Sequence, residues 1–155
     1  MDRIELDLKR PFELSELLWR DGYGKGNKSL VYITARTAQN RLDKVFGPAG
    51  WQVSYDYKGD RMLCTVSCLV KGNWVSKTDG AGDTSIEGEK GGISDAFKRA
   101  CVAWGIGRYL YYPTAFDQNK QPAHWATPEG YDKIMAVKYE AELKDWVEEY
   151  NRKAA

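Results

Sequence analysis

The chain has 155 residues, 43% of them hydrophobic and 13% aromatic, enough for one domain with a real core and too apolar for a disordered segment. Its 23 Lys and Arg against 22 Asp and Glu leave a formal net charge of +1, so any polyanion must be met by a local patch and not by a whole-molecule field. Neither an N-terminal apolar leader nor a long apolar run is visible, which predicts a cytoplasmic protein with no secretion signal and no membrane span.

Residues 1–11 are mixed and charged and close on Pro11. Phe12 to Arg20 predicts a short helix with Leu14, Leu17 and Leu18 inward. Asp21 to Asn27, DGYGKGN, is a glycine-rich loop; it lacks the GxxxxGK spacing of a phosphate-binding loop. Leu30 to Ile33 is a brief strand. Thr34 caps a helix that ends at Phe46, with Ala35, Ala38, Leu42, Val45 and Phe46 inward and Gly47-Pro48 as its stop. Arg36 lies in the first turn, where a cation opposes the helix dipole; an anionic partner or a nearby carboxylate would each account for it. Arg41, beside Asp43 and Lys44, reads as ordinary surface charge.

Trp51 to Tyr57 alternates apolar and polar, Lys58-Gly59-Asp60 turns, and Met62 to Val70 follows as a second strand. Lys71-Gly72-Asn73 turns again into a third strand, Trp74 to Thr78. Cys64 and Cys68 share one strand face. With Cys101 they read as buried reduced thiols, and the lone His124 and the missing CxxC speak against a metal site. Asp79 to Gly88 is a second loop whose acids Asp79, Asp83 and Glu87 lack EF-hand spacing.

Lys90 to Tyr112 holds the densest chemistry. Ser94 is a candidate N-cap with Asp95 behind it, and Ile93, Phe97, Ala100, Cys101 and Trp104 form one apolar stripe. Arg99 points away from that stripe, Lys98 sits on its shoulder, and Gly105 and Gly107 end the helix. Four cations (Lys90, Lys98, Arg99, Arg108) face one acid, Asp95, beside Tyr109, Tyr111 and Tyr112. Such a ledge suits single-stranded nucleic acid, with phosphates on the cations and bases against the rings. An ordinary solvated face with half-buried tyrosines is the alternative. Pro113 to Thr127 is a loop. Thr127-Pro128 then starts a terminal helix over about 128–150; the stretch from Glu129 to Lys153 carries seven acids against five bases, and the helix could pack on its own domain or on a neighbouring subunit. The expected fold is α+β, an antiparallel β-meander packed against a central helix with flanking N- and C-terminal helices, in one domain over residues 1–155.

Three segments in this order, YITARTAQNRLDKVFGPAGWQ (Tyr32–Gln52), DGAGDTSIEGEKGG (Asp79–Gly92) and SDAFKRACVAWGIGRYLY (Ser94–Tyr111), resemble the Rad-fifty-two-type single-strand annealing proteins. PFELSELLWR is similar to the opening of the short phage and bacterial members, and the resemblance covers roughly residues 10 to 112. It implies a β-β-β-α core (here about 30–112), a homo-oligomeric ring or helical filament, and ATP-independent binding and annealing of single-stranded DNA in recombination and repair. It places Arg36, Lys98 and Arg99 in an inner groove and Arg61 at an outer DNA site. A further groove arginine of the family is Val102 here, and Lys90 and Arg108 are the candidates to compensate. The long C-terminal region by which larger members contact a recombinase and a single-strand-binding protein has no counterpart, which puts recombinase loading by that route in doubt and leaves a single-strand-binding protein as a candidate partner only.

Annealing needs no nucleophile, base, metal or cofactor, and the sequence shows no constellation for any of them. Two readings compete with it. One is a strand-coating or structured nucleic-acid-binding module that does not anneal. The other is a metal-dependent nuclease on Asp79, Asp83 and Glu87, which would have to work from a loop without a fixed frame.

Overall fold

The computed structural model describes residues 2–22, 29–80 and 88–155, without the side chains of 88–91. The charged opening segment is helical: the Asp2 carboxylate accepts from the Ile4 N–H at 3.2 Å and starts α1, Arg3–Lys9, which buries Leu6 and Leu8. Arg10 then takes the extended conformation that a residue before proline favours, at φ −57° and ψ 129°. The helix expected over Phe12–Arg20 does not form. A single 3-10 turn over Leu14–Glu16 leads into β1, Leu18–Arg20, which pairs antiparallel with β2, Leu30–Tyr32. Of the three leucines expected inside, only Leu17 is buried. Pairing with a strand on the far side of the glycine-rich segment outweighs a weak local helical preference. That segment, from Tyr23 to Lys28, lies outside the described residues.

The Thr34 hydroxyl accepts from the Thr37 N–H at 3.2 Å and opens α2, Ala35–Phe46, whose Ala38 and Leu42 are fully buried. Three strands follow: β3 (Trp51–Lys58), β4 (Arg61–Val70) and β5 (Asn73–Gly80), in sheet order β3-β4-β5. Gly59 and Gly72, at φ +65° and +81°, make the two tight turns between them. The register sets Val53 opposite Val66 and Val66 opposite Lys77, so Trp51, Val53, Met62, Cys64, Val66, Cys68 and Val75 share the front face.

Across that face runs α3, Gly88–Ala103, burying Phe97, Ala100, Cys101 and, just beyond its end, Trp104, whose indole N–H donates to the Val66 carbonyl at 3.0 Å. The helix begins at Gly88, so Ser94 lies within it and is not its cap; Ile93 is exposed and not part of the stripe. The glycines lower local propensity, but packing on the sheet sets the helix length.

A loop and a 3-10 turn at His124–Ala126 lead to α4, Pro128–Ala154, capped by the Thr127 hydroxyl at 3.1 Å from the Gly130 N–H. Its root is tied to α1. Arg10 grips Asp132 through two bonds of 2.9 Å, and the Tyr131 hydroxyl donates to the Leu6 carbonyl at 2.8 Å. The result is the expected α+β arrangement, with the core between α2, α3 and β4.

Candidate nucleic-acid interface

Lys98 leaves α3 on the shoulder of the buried stripe and reaches toward the β1–β2 ribbon. Its ammonium lies 5.4 Å from the Tyr32 ring centroid, and the Arg20 guanidinium lies 5.6 Å from the same centroid. The ribbon register explains the second contact: Leu18 is opposite Tyr32, so Arg20, two residues on, points to the same side. Burial holds the Lys98 pKa below its ordinary value; Asp95 opposes that shift and Arg20 adds to it. On the other side of the ribbon, Lys120 sits 5.3 Å from the Trp19 ring, which packs edge-on against Phe116.

Arg99 is exposed and meets Asp95 one turn back at 3.5 Å through Nε. An exposed pair of this kind contributes about 0.3–0.5 kcal/mol, little enough for a phosphate to displace it. Arg36 is exposed in the first turn of α2 and makes no hydrogen bond or ion pair among the described residues, so no carboxylate there accounts for it. Arg61 is exposed at the β3–β4 turn, opposite Lys58 in the ladder. The Lys90 side chain lies outside the described residues, as do Asp83 and Glu87. Asp79 accepts from the Gly80 N–H at 2.7 Å.

Two arginines serve the fold. Arg108 donates from Nε and Nη2 to the Val102 carbonyl, at 3.1 and 2.8 Å, and from Nη2 to the Ala103 carbonyl at 3.0 Å, closing the C-terminal end of α3. Arg41 is buried, contrary to the reading as surface charge. Its Nη1 donates to the carbonyls of Asp7, Leu8 and Arg10 at 3.0, 3.2 and 2.6 Å, and its guanidinium lies 4.2 Å from the Phe12 ring centroid. Burial lowers its pKa, and Arg10 nearby adds to the effect.

Among the thiols, burial pushes Cys64 up to about 11 and Cys68 up to about 12, and raises Cys101 as well. All three are free and buried, so none offers a thiolate near neutral pH. Sequence reasoning missed Arg20 and Tyr32. The signal was present: LWR and LVY flank a glycine-rich segment, a pattern that fits a ribbon as well as a helix followed by a strand.

A family model described as Rad52/22 family double-strand break repair protein matches residues 1–59 and 65–126. Arg36, Lys90, Lys98, Arg99 and Arg108 fall inside the matched spans, Arg61 falls between them, and α4 begins beyond them. The chain is 30% identical over 149 residues to the single-stranded DNA-binding protein DdrA of Deinococcus radiodurans, covering 92% of this chain and 66% of that protein. It is 33% identical over 128 residues to the protein of the same name from Deinococcus deserti, covering 79% and 61%. The chain thus spans less than two thirds of the length of these curated relatives.

Proposed function

Because the chain belongs to the Rad52/22 family of double-strand break repair proteins, we propose that it binds single-stranded DNA and anneals complementary strands in recombination and repair, without ATP and without making or breaking bonds. The observation that carries this reading is the set of cations formed by the exposed Arg36 and Arg99 and the half-buried Lys98, held on α2 and α3 within the segment that the family model matches. Two relatives named as single-stranded DNA-binding proteins support the choice of ligand.

Annealing asks for a strand held by its phosphates, bases left free to pair, and contacts weak enough to release the duplex. Phosphate contacts carry no sequence information, which is what pairing of arbitrary complements requires. Three cations per subunit are few, and the net charge of +1 supplies no attractive field. Repetition of the subunit along the strand makes up for this, since linked weak sites bind by avidity. A homo-oligomeric ring or filament in the bacterial or phage-infected cell is therefore part of the proposal. Among the described residues no helix is long and apolar enough to cross a membrane.

The test is annealing of two complementary oligonucleotides without ATP or magnesium, for wild type and Lys98→Ala/Arg99→Ala. Wild type is expected to accelerate pairing and the folded double mutant to lose that acceleration. Its log–log salt slope should fall by about 1.4, at about 0.7 per phosphate contact on a single strand. Tight binding of single strands by wild type without acceleration would leave a coating protein in place of an annealing one.

A further inference from the structure

From Ala136 to its end every residue of α4 is exposed, yet this outer half is patterned. Tyr139, Leu143, Trp146 and Tyr150 recur at spacings of four, three and four, the d-a-d-a order of a coiled-coil seam. Leu143 is 48% exposed and Trp146 61%. We infer that this seam is a docking site for an amphipathic helix of another protein whose apolar stripe is flanked by Lys or Arg. The inference goes beyond strand binding and stands without it. The helix begins after residue 126, where the family model's match ends, and its acidic face repels a polyanion.

The need for a partner follows from length and exposure. A lone helix is marginally stable in water, and soluble proteins leave stripes of large apolar side chains open chiefly at contact sites. Trp146 and Tyr150 stack at 5.6 Å with their rings 17° apart, so an aromatic anchor is ordered before a partner arrives. Charge selects the partner. Beside the seam, at the e and g positions, stand Glu140, Glu142, Val147 and Glu149, with no Lys or Arg among them. The base next along, Lys153, meets Glu149 at 2.8 Å, and Lys144 lies on the far face, 4.0 Å from Glu148. Charges at e and g set partner choice in coiled coils, so a basic helix fits and an acidic one is repelled. A second copy of this chain fits poorly. It brings the same acids, and it lays Trp and Tyr on layers where two-stranded coiled coils hold Ile, Val or Leu. Small seam residues, Leu and Ala, leave room for the rings.

The probe is a fluorescein-labelled synthetic helix of about three heptads, with Leu and Ala in its seam and Lys at e and g; a counterpart carries Glu at e and g. Anisotropy against the full chain is expected to show saturable binding of the Lys peptide and none of the Glu peptide. Trp146→Ala/Tyr150→Ala should weaken that binding by more than about tenfold, as loss of anchor aromatics does, with the melting temperature unchanged. Glu142→Lys/Glu149→Lys should shift the preference toward the Glu peptide. No binding of the Lys peptide, equal binding of both peptides, or full binding by the aromatic variant each overturns the inference. Light scattering of the aromatic variant tests the second copy. A mass equal to that of wild type is expected, and a fall in mass would overturn the inference by giving the seam to a neighbouring subunit.

Discussion

Arg36 and Arg41 stand on one helix and do different work, and their surroundings decide which. Arg36 projects from the first turn into solvent and meets no carboxylate among the described residues. Arg41 lies between Ala38 and Leu42 on the buried stripe and gathers three carbonyls at the end of α1. Its place on that stripe was legible in the helical spacing; the charged neighbours Asp43 and Lys44 drew the reading toward the surface. The end of a helix leaves carbonyls without intrahelical partners, and a buried guanidinium satisfies them at the cost of its own desolvation. Arg41→Met should therefore destabilise the protein by about 2–3 kcal/mol, the range for charged hydrogen bonds lost from buried acceptors. Urea unfolding measures this. Strand affinity per folded molecule should not change, because Arg41 is not available to a phosphate. A mutant of wild-type stability would show that the three carbonyls find other partners.

At the scale of elements, the β-meander, α2 and most of α3 were readable because their signals are local: period-two alternation between glycine turns, a Thr cap, an apolar stripe at helical spacing. The β1–β2 ribbon was not. Its strands are three residues each, and their partners lie across the glycine-rich segment, so no window of sequence contains the interaction that makes them strands. Arg36, Lys98 and Arg99 were picked out through family resemblance, whereas Arg20 stands on a ribbon that the sequence reading did not expect. The latch between α1 and α4 is also long-range. Arg10 beside Asp132 holds that carboxyl below its ordinary value of 3.8, so folding is favoured by the ionised pair at higher pH. That contribution is full above the unfolded value and disappears as pH falls through the lower folded one. Asp132 is half exposed, which limits the gain to at most about 1 kcal/mol. Asp132→Asn should be less stable than wild type by that amount near about pH 6, with the gap closing by about pH 2. Denaturant unfolding at both pH values checks it, and a gap that persists in acid would assign the loss to packing and not to charge.

For the whole molecule the question is what the outer part of α4 does to a nearly neutral protein for which strand binding is proposed. Beyond its root the helix stands clear: Val137 is 69% exposed, Trp146 61% and Tyr150 60%, with Trp146 and Tyr150 stacked on each other at 5.6 Å. Residues 139–155 carry five acids (Glu140, Glu142, Asp145, Glu148, Glu149) against three bases (Lys144, Arg152, Lys153). They supply none of the buried hydrophobic residues of the core. Removing them should therefore leave the thermal transition of the core within about 2 °C, because mostly exposed side chains add little to stability. It also makes the remaining chain more basic by two charges, so single-strand affinity should rise at low ionic strength. The gain should vanish above about 0.1 M salt, where charges beyond about 10 Å are screened. Melting curves and anisotropy titrations at low and moderate salt test the two statements separately. If the truncated protein keeps its melting temperature but binds more weakly at every salt concentration, the exposed apolar side chains of α4 act in assembly, and the avidity they provide exceeds the repulsion of their acidic neighbours.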